Sequence, residues 1–256
     1  MPCMQACSDV MVFEWIRSGR ATLRRRDDPG WRGNFVSHLL PTTFSTYAKV
    51  LHRVDACYEN IDNPLSPKEN EILKIPACIE LRALIGNLRA DLRGTRLRWK
   101  EIAEALKGPF EPELNLEWFR AKLEPGCWPR FLRGPDEGTL DAEECSALVS
   151  TLRPFTGNQE CSFRFAEMPF FGTNKQLLFH GTLEEGRAFL SDRTYQFTPE
   201  YWWPADGCWC VCSDYDLMFT VVGGGEELIS AVLRDTFLEC IEVTPSTRID
   251  FYAPMK

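Results

Sequence analysis

The apolar rhythm of the chain changes at Pro154, and that change limits the fold more than any other feature of the sequence. Before it, apolar residues recur at the three-and-four spacing of helices with one buried face. After it come short apolar runs of strand length, namely Cys161–Phe165, Gln176–Gly181, Gly207–Ser213, Phe219–Val222 and Leu238–Val243. Cys161–Phe165 alternates apolar and polar, as a half-buried strand does, and Ser213-Asp214-Tyr215-Asp216 is hairpin-turn chemistry. The expected class is therefore α+β. It has a helix-rich N-terminal part and a mainly antiparallel C-terminal sheet, with the Glu226–Leu233 helix packed on one face. A single globular domain over 1–256 is expected, with 1–154 and 155–256 as the parts into which it would divide.

The helices expected in the first part are Asp9–Ser18, Thr42–Val54, Ile79–Leu92, Trp99–Leu106, Leu116–Leu123 and Thr139–Leu152. In Thr42–Val54 the helical face would be Phe44, Tyr47, Ala48 and Leu51, and Thr139 would be the N-cap of the last helix. Asn60–Asn70, rich in Pro, Asn and Asp, reads as an exposed loop. Met1–Val12 reads as a loose tail, lacking the charged start and long apolar run of a secretory signal.

Eleven cysteines, an odd number, without such a signal imply thiols in a reducing, cytoplasmic compartment. No stretch approaches the roughly 20 apolar residues of a membrane span. A formal charge of −8 disfavours nucleic acid and anionic membrane as partners. Arg96–Leu106 has the look of the first helix of a helix-turn-helix, but the acidic, Pro-rich Gly108–Glu113 follows where a recognition helix would have to stand.

The most distinctive run is Tyr201-Trp202-Trp203-Pro204-Ala205-Asp206, followed by Trp209-Cys210-Val211, Asp214, Asp216, Thr220 and Val222-Gly223-Gly224. With Leu40–His52, Trp99–Ala103 and Glu137–Leu140, it resembles a group of uncharacterised bacterial proteins, common in actinobacteria, that carry a W-P-x-D-x-x-W-C-V segment. The resemblance implies no activity and transfers no catalytic residue.

Candidate sites follow from the residues themselves. Cys208, Cys210 and Cys212 would align on one face of a strand. The outer pair would stand about 13 Å apart at the strand rise of about 3.3 Å per residue, too far for one tetrahedral metal centre. Val221–Glu227 is a strand, three glycines and a helix, but Glu226 and Glu227 would repel a phosphate there. A tight β-to-α turn is the better reading. No metal and no cofactor is expected. Trp209 should be a core residue pointing away from Cys208 and Cys210. Asp206 is either a ligand-binding residue or a turn cap.

The ligand-binding candidates are Asp206, Asp214, His180, Trp202 and Trp203. Trp202 and Trp203 would line a groove or close one edge of the core. The reading that fits best is a non-enzymatic binding or immunity-type interaction protein with a protein partner. Its rival is an enzyme with a dispersed polar site, which requires His180, Asp206 and Asp214 to converge.

Overall fold

A computed structural model describes residues 5–7, 13–21, 31–57, 67–87, 93–123, 128–165 and 177–250. In chain order the elements are β1 (Gln5–Cys7), α1 (Glu14–Gly19), α2 (Val36–Leu39), β2 (Thr46–Leu51), β3 (Val54–Cys57), α3 (Pro67–Ile72), α4 (Pro76–Asn87), β4 (Arg93–Leu97), α5 (Trp99–Ala105), α6 (Leu116–Lys122) and β5 (Leu132–Arg133). Then come α7 (Ala142–Thr156), β6 (Cys161–Phe165), β7 (Leu177–Gly181), a 3₁₀ turn (Leu183–Arg187), α8 (Ala188–Ser191), β8 (Tyr201–Pro204), β9 (Cys210–Cys212), β10 (Phe219–Gly224), α9 (Glu226–Arg234) and β11 (Cys240–Val243). The fold is α+β, as the change of rhythm implies. Among the described residues no helix is long and apolar enough to cross a membrane.

The chain forms two compact units. One comprises the described residues within 1–52 and 136–249, the other those within 53–135 and 250–256. Pro154 marks no boundary between them; it sits in the last turn of α7.

The larger unit is built on one sheet of order β1-β7-β6-β8-β9-β10-β2-β11. Every pairing in it is antiparallel. Side chains alternate across a strand, so each strand contributes to two faces. The first face carries Ala48, Val50, Cys161, Phe163, Phe165, Trp202, Val211 and Val222. They pack with Leu148, Leu152, Leu228, Ile229 and Val232 of α7 and α9 in one apolar core. Trp209 belongs to that core and is fully buried. Its indole N–H donates to Thr156 Oγ1 at 3.1 Å, and its ring meets Trp202 edge-on at 6.3 Å. The second face carries Ser162, Arg164, Tyr201, Trp203, Cys210, Cys212, Val221, Tyr47 and Lys49, all buried.

Thr42–Val54 is not a helix. Residues 46–51 form β2, and Val54 begins β3. Phe44, Tyr47, Ala48 and Leu51 do match helical spacing, but Lys49 and Val50 are buried as well. β2 lies between β10 and β11, with both backbone edges hydrogen-bonded and both faces covered. A strand covered on both faces shows no period of two, and its apolar run passes for a helix. Cys161–Phe165 departs from expectation in the same way, because its alternate polar residues are buried too.

Smaller corrections have local causes. Asp141, not Thr139, caps α7, accepting the Glu144 N–H at 2.7 Å. Pro67 opens a short helix inside the expected loop, at a position where its missing N–H costs nothing. Gln5–Cys7, expected in a loose tail, pairs with β7 as an edge strand; the remainder of that tail lies outside the described residues. So do Asp9–Val12, 58–66 and 88–92, on which parts of the expected helices and loop fall.

The smaller unit pairs a three-stranded sheet, β4-β3-β5, with α3–α6. Trp99 and Phe119 meet edge-on at 6.3 Å within its core.

Removing Trp209 leaves a large cavity in the first core and takes the indole N–H from the Thr156 hydroxyl, which still donates to the Leu152 carbonyl at 3.0 Å. Trp209→Ala should cost about 3–5 kcal/mol, measured by urea unfolding; Trp209→Phe should cost clearly less.

Candidate functional site

The β9–β10 turn is held from below by a chain of buried hydroxyls and one imidazole. Ser213 and Thr220 face each other at the base of the turn, Oγ to Oγ1, at 2.7 Å. Thr220 Oγ1 lies 2.9 Å from His52 Nε2, and His52 Nδ1 lies 2.7 Å from the Asp136 carbonyl oxygen. The carbonyl can only accept, so Nδ1 carries the proton and donates. Nε2 then accepts from Thr220, and Thr220 from Ser213. Burial lowers the His52 pKa to about 4, while the Asp136 carbonyl and the Asp136 and Asp141 charges act upward. The imidazole is neutral near pH 7, as this direction of hydrogen bonding requires.

Above this base, Asp214 Oδ1 accepts the Asp216 N–H at 3.0 Å, and the Leu217 N–H reaches the Asp214 carbonyl at 2.9 Å. The loop through Gly138 closes on the turn, its N–H donating to the Leu217 carbonyl at 2.8 Å. Gly138 has φ +67, and a Cβ there would stand 2.5 Å from the Tyr215 Cα. Only glycine meets both conditions. Tyr215 is 47% exposed, and Asp216, Asp136 and Glu137 are exposed beside it in the turn and the loop. The Asp216 charge, with burial and then the Asp214 and Glu200 charges, raises the Tyr215 pKa. The tip is thus a rigid, acidic turn displaying one aromatic ring.

Behind the tip, on the second face, Arg164 forms a buried ion pair with Glu200. The Arg164 side chain is 10% exposed and that of Glu200 15%. Burial pushes the Glu200 carboxyl up to about 7; the Arg164 and Arg20 charges pull it down, and Asp214 pushes it up. Asp214, half-buried, is also raised, mainly by burial. Arg20 bonds to the Tyr201 hydroxyl, which in turn donates to the Leu39 carbonyl at 3.0 Å. The Arg164 Nε has no hydrogen-bond partner among the described residues.

The five candidate residues do not share one centre. Asp206 and Asp214 occupy the turns at opposite ends of β9. Asp206 is exposed and accepts from the Cys208 N–H at 3.0 Å and the Gln159 amide at 2.7 Å. Partial burial acts upward on it, but these hydrogen bonds hold its carboxyl below the usual range. That is the geometry of a turn cap. His180 is half-buried in β7, with Nδ1 3.1 Å from Ser162 Oγ. Trp202 is fully buried in the first core, and Trp203 is 2% exposed on the second face.

The cysteines of the central strand are separated by burial. Cys210 and Cys212 are inside and their thiols are raised well above the ordinary value by burial, while Cys208 is exposed and pushed up to about 12 by burial and Asp206. Protonated thiols are poor nucleophiles and poor metal ligands. Among the described residues no group of three or more His, Cys, Asp or Glu is placed to hold a metal ion. The glycine run serves packing: a Cβ on Gly223 would meet Phe44 at 2.6 Å.

Glu200, Arg164 and Tyr215 were not singled out by the sequence pattern. The available signal was an arginine set between Phe163 and Phe165 in a run of strand length.

No family model, curated protein or solved structure matches this chain.

His52 sets a testable pH dependence. Its folded pKa lies below its unfolded value of 6.5, so its contribution to stability is present above pH 6.5 and is lost as pH falls toward about 4. His52→Asn should cost about 1–3 kcal/mol at neutral pH. The gap to wild type should shrink on acidification, as followed by urea midpoints across that range.

Proposed function

We propose that this chain is a non-enzymatic interaction protein that presents the Asp214–Asp216 turn to a partner protein with a basic surface. One observation carries the reading: Tyr215 stands 47% exposed on a backbone held against Gly138, among carboxylates. Tyrosine gives large contact area at low entropic cost, and a pre-organised aromatic ring is the usual anchor of a recognition surface. The carboxylates around it select a partner rich in Arg or Lys and speed its approach, in keeping with the −8 charge of the whole chain. Protonated, unpaired thiols at Cys208, Cys210 and Cys212 agree with a reducing, cytoplasmic setting. The likeness of the Trp202–Val211 run to uncharacterised bacterial proteins adds no activity.

The test is titration calorimetry against a set of small basic folded proteins at low and physiological salt. At least one should bind with Kd below about 100 μM, more weakly as salt rises. Tyr215→Ala and Asp216→Lys should each weaken that binding about tenfold, or about 1.4 kcal/mol, with unchanged melting curves. Absence of binding across the set, or equal binding by both variants, overturns the proposal.

A further inference from the structure

Residues Phe13–Ala21 lie over the polar side of the large sheet, and the local support for their helix is slight: an exposed Glu14–Arg17 ion pair at 2.8 Å and the Ser18 hydroxyl on the Trp15 carbonyl at 3.4 Å. α1 has six residues and no side-chain cap at its N-terminus. An isolated helix of that length is unstable in water, so its order comes from what it covers. Ile16 is fully buried. Trp15 meets Trp203 at 6.4 Å and Phe44 at 6.2 Å, both edge-on. Phe13 sits edge-on to Tyr201 at 5.0 Å, with the Arg164 Cζ 4.2 Å from its ring centre. Arg20, at the other end of the segment, bonds to the Tyr201 hydroxyl. Two backbone bonds add to these: the Ala21 N–H donates to the Ser37 carbonyl at 2.7 Å, and the Thr42 N–H to the Gly19 carbonyl at 3.1 Å. The guanidinium beneath Phe13 is the one that Glu200 neutralises.

We propose that Phe13–Ala21 is a latch whose hold on the sheet is governed by the charge on Glu200. This goes beyond the partner reading of the Asp214–Asp216 turn and does not rest on it. The charged groups facing Glu200 are Arg164 from β6, Arg20 from the latch itself and Asp214 from the β9–β10 turn. Tyr201 and Cys212 are its uncharged neighbours, both held far above neutral pH by burial. Tyr215 also feels its charge. His38 of α2 faces Arg20, and burial with that charge lowers its pKa.

The direction follows from which state shields the carboxyl. With the latch closed, burial holds Glu200 at about 7, against an ordinary value of 4.5. With the latch released, water reaches the Arg164–Glu200 pair and the carboxyl falls back toward that ordinary value. The closed latch therefore binds a proton more tightly than the open one, and raising the pH from 4.5 through about 7 loosens it. Asp214, raised by burial, acts in the same sense. Arg164 first, and then Arg20, attract ionised Glu200 and limit the effect. His38 acts in the opposite sense under acid, and its contribution is common to wild type and a Glu200 variant.

Amide hydrogen exchange on the full chain, expressed as protection factors, tests this. In wild type the protection of α1 should fall at least about tenfold between about pH 5.5 and about pH 8, while the β10 amides stay level. Glu200→Gln, neutral throughout, should keep α1 protected at both values. Phe13→Ala should leave it unprotected at both. The proposal is overturned by α1 protection that ignores pH in wild type, by the same fall in Glu200→Gln, or by a parallel fall in β10. Should Glu200→Gln not fold, the wild-type contrast between α1 and β10 decides, with Phe13→Ala as the open reference.

Discussion

The polar side of the large sheet depends on Arg164 finding an anion inside the protein. A guanidinium projecting from a covered strand is costly unless paired, and removing one partner of such a pair costs several kcal/mol. Glu200, beside Tyr201 on the neighbouring strand, supplies the charge. The Glu200 carbonyl accepts the Ser213 N–H at 2.8 Å, which ties the same residue to the base of the β9–β10 turn. Once both charges are inside, aromatic rings are the natural cover, because a ring face attracts a guanidinium while excluding water. Phe13 and Tyr201 both lie against Arg164. The opposite side of the sheet needs none of this: there α7 and α9 close on aliphatic and aromatic side chains, and burial of apolar area suffices.

The turn that displays Tyr215 is stiffened by groups that water does not reach. Ser213, Thr220 and His52 are each at most 1% exposed, and each spends its hydrogen-bonding capacity on the next. A protonated His52 would turn Nε2 from acceptor to donor and leave one buried hydroxyl proton of the Ser213–Thr220 pair without its acceptor, so the low basicity of the imidazole and the order of the turn are one property. Gly138 adds a steric condition to this electronic one. The outcome is a surface feature whose shape is fixed from the interior, as binding loops on rigid scaffolds generally are.

What could be read beforehand follows from how many faces of each element are covered. Strands β6, β7, β9, β10 and β11, the helix at Glu226 and the buried Trp209 were legible because strong β formers, turn residues and a helical period coincide there; β8 (Tyr201–Pro204), whose aromatic run reads as a groove or a core edge, went unrecognised. β2 was not, since Tyr47 to Leu51 are all buried and the period of two disappears. Arg164 was hidden for a related reason: in Cys161–Phe165 the polar positions suggest water, whereas Phe13 and Tyr201 lie there. Asp206 and Asp214 are both aspartates beside turns, and sequence spacing could not tell that they bracket a strand. Pairing across distant segments, such as His52 with Thr220 or Arg20 with Tyr201, leaves no local trace at all.

The ends of the large sheet bear on how this protein behaves when crowded. Among the described residues its outermost strands are β1, three of whose residues are described, and β11, with four. Short outer strands offer few backbone groups for another chain to pair with. On β11, Glu242 is exposed, and Pro245 follows two residues after the strand, where a missing N–H would break any longer ladder. The six strands between them have both backbone edges engaged. A sheet of this width would otherwise be a template for stacking copies edge to edge; the brief β11 margin, with its exposed carboxylate and nearby proline, keeps strand exchange at that end unfavourable.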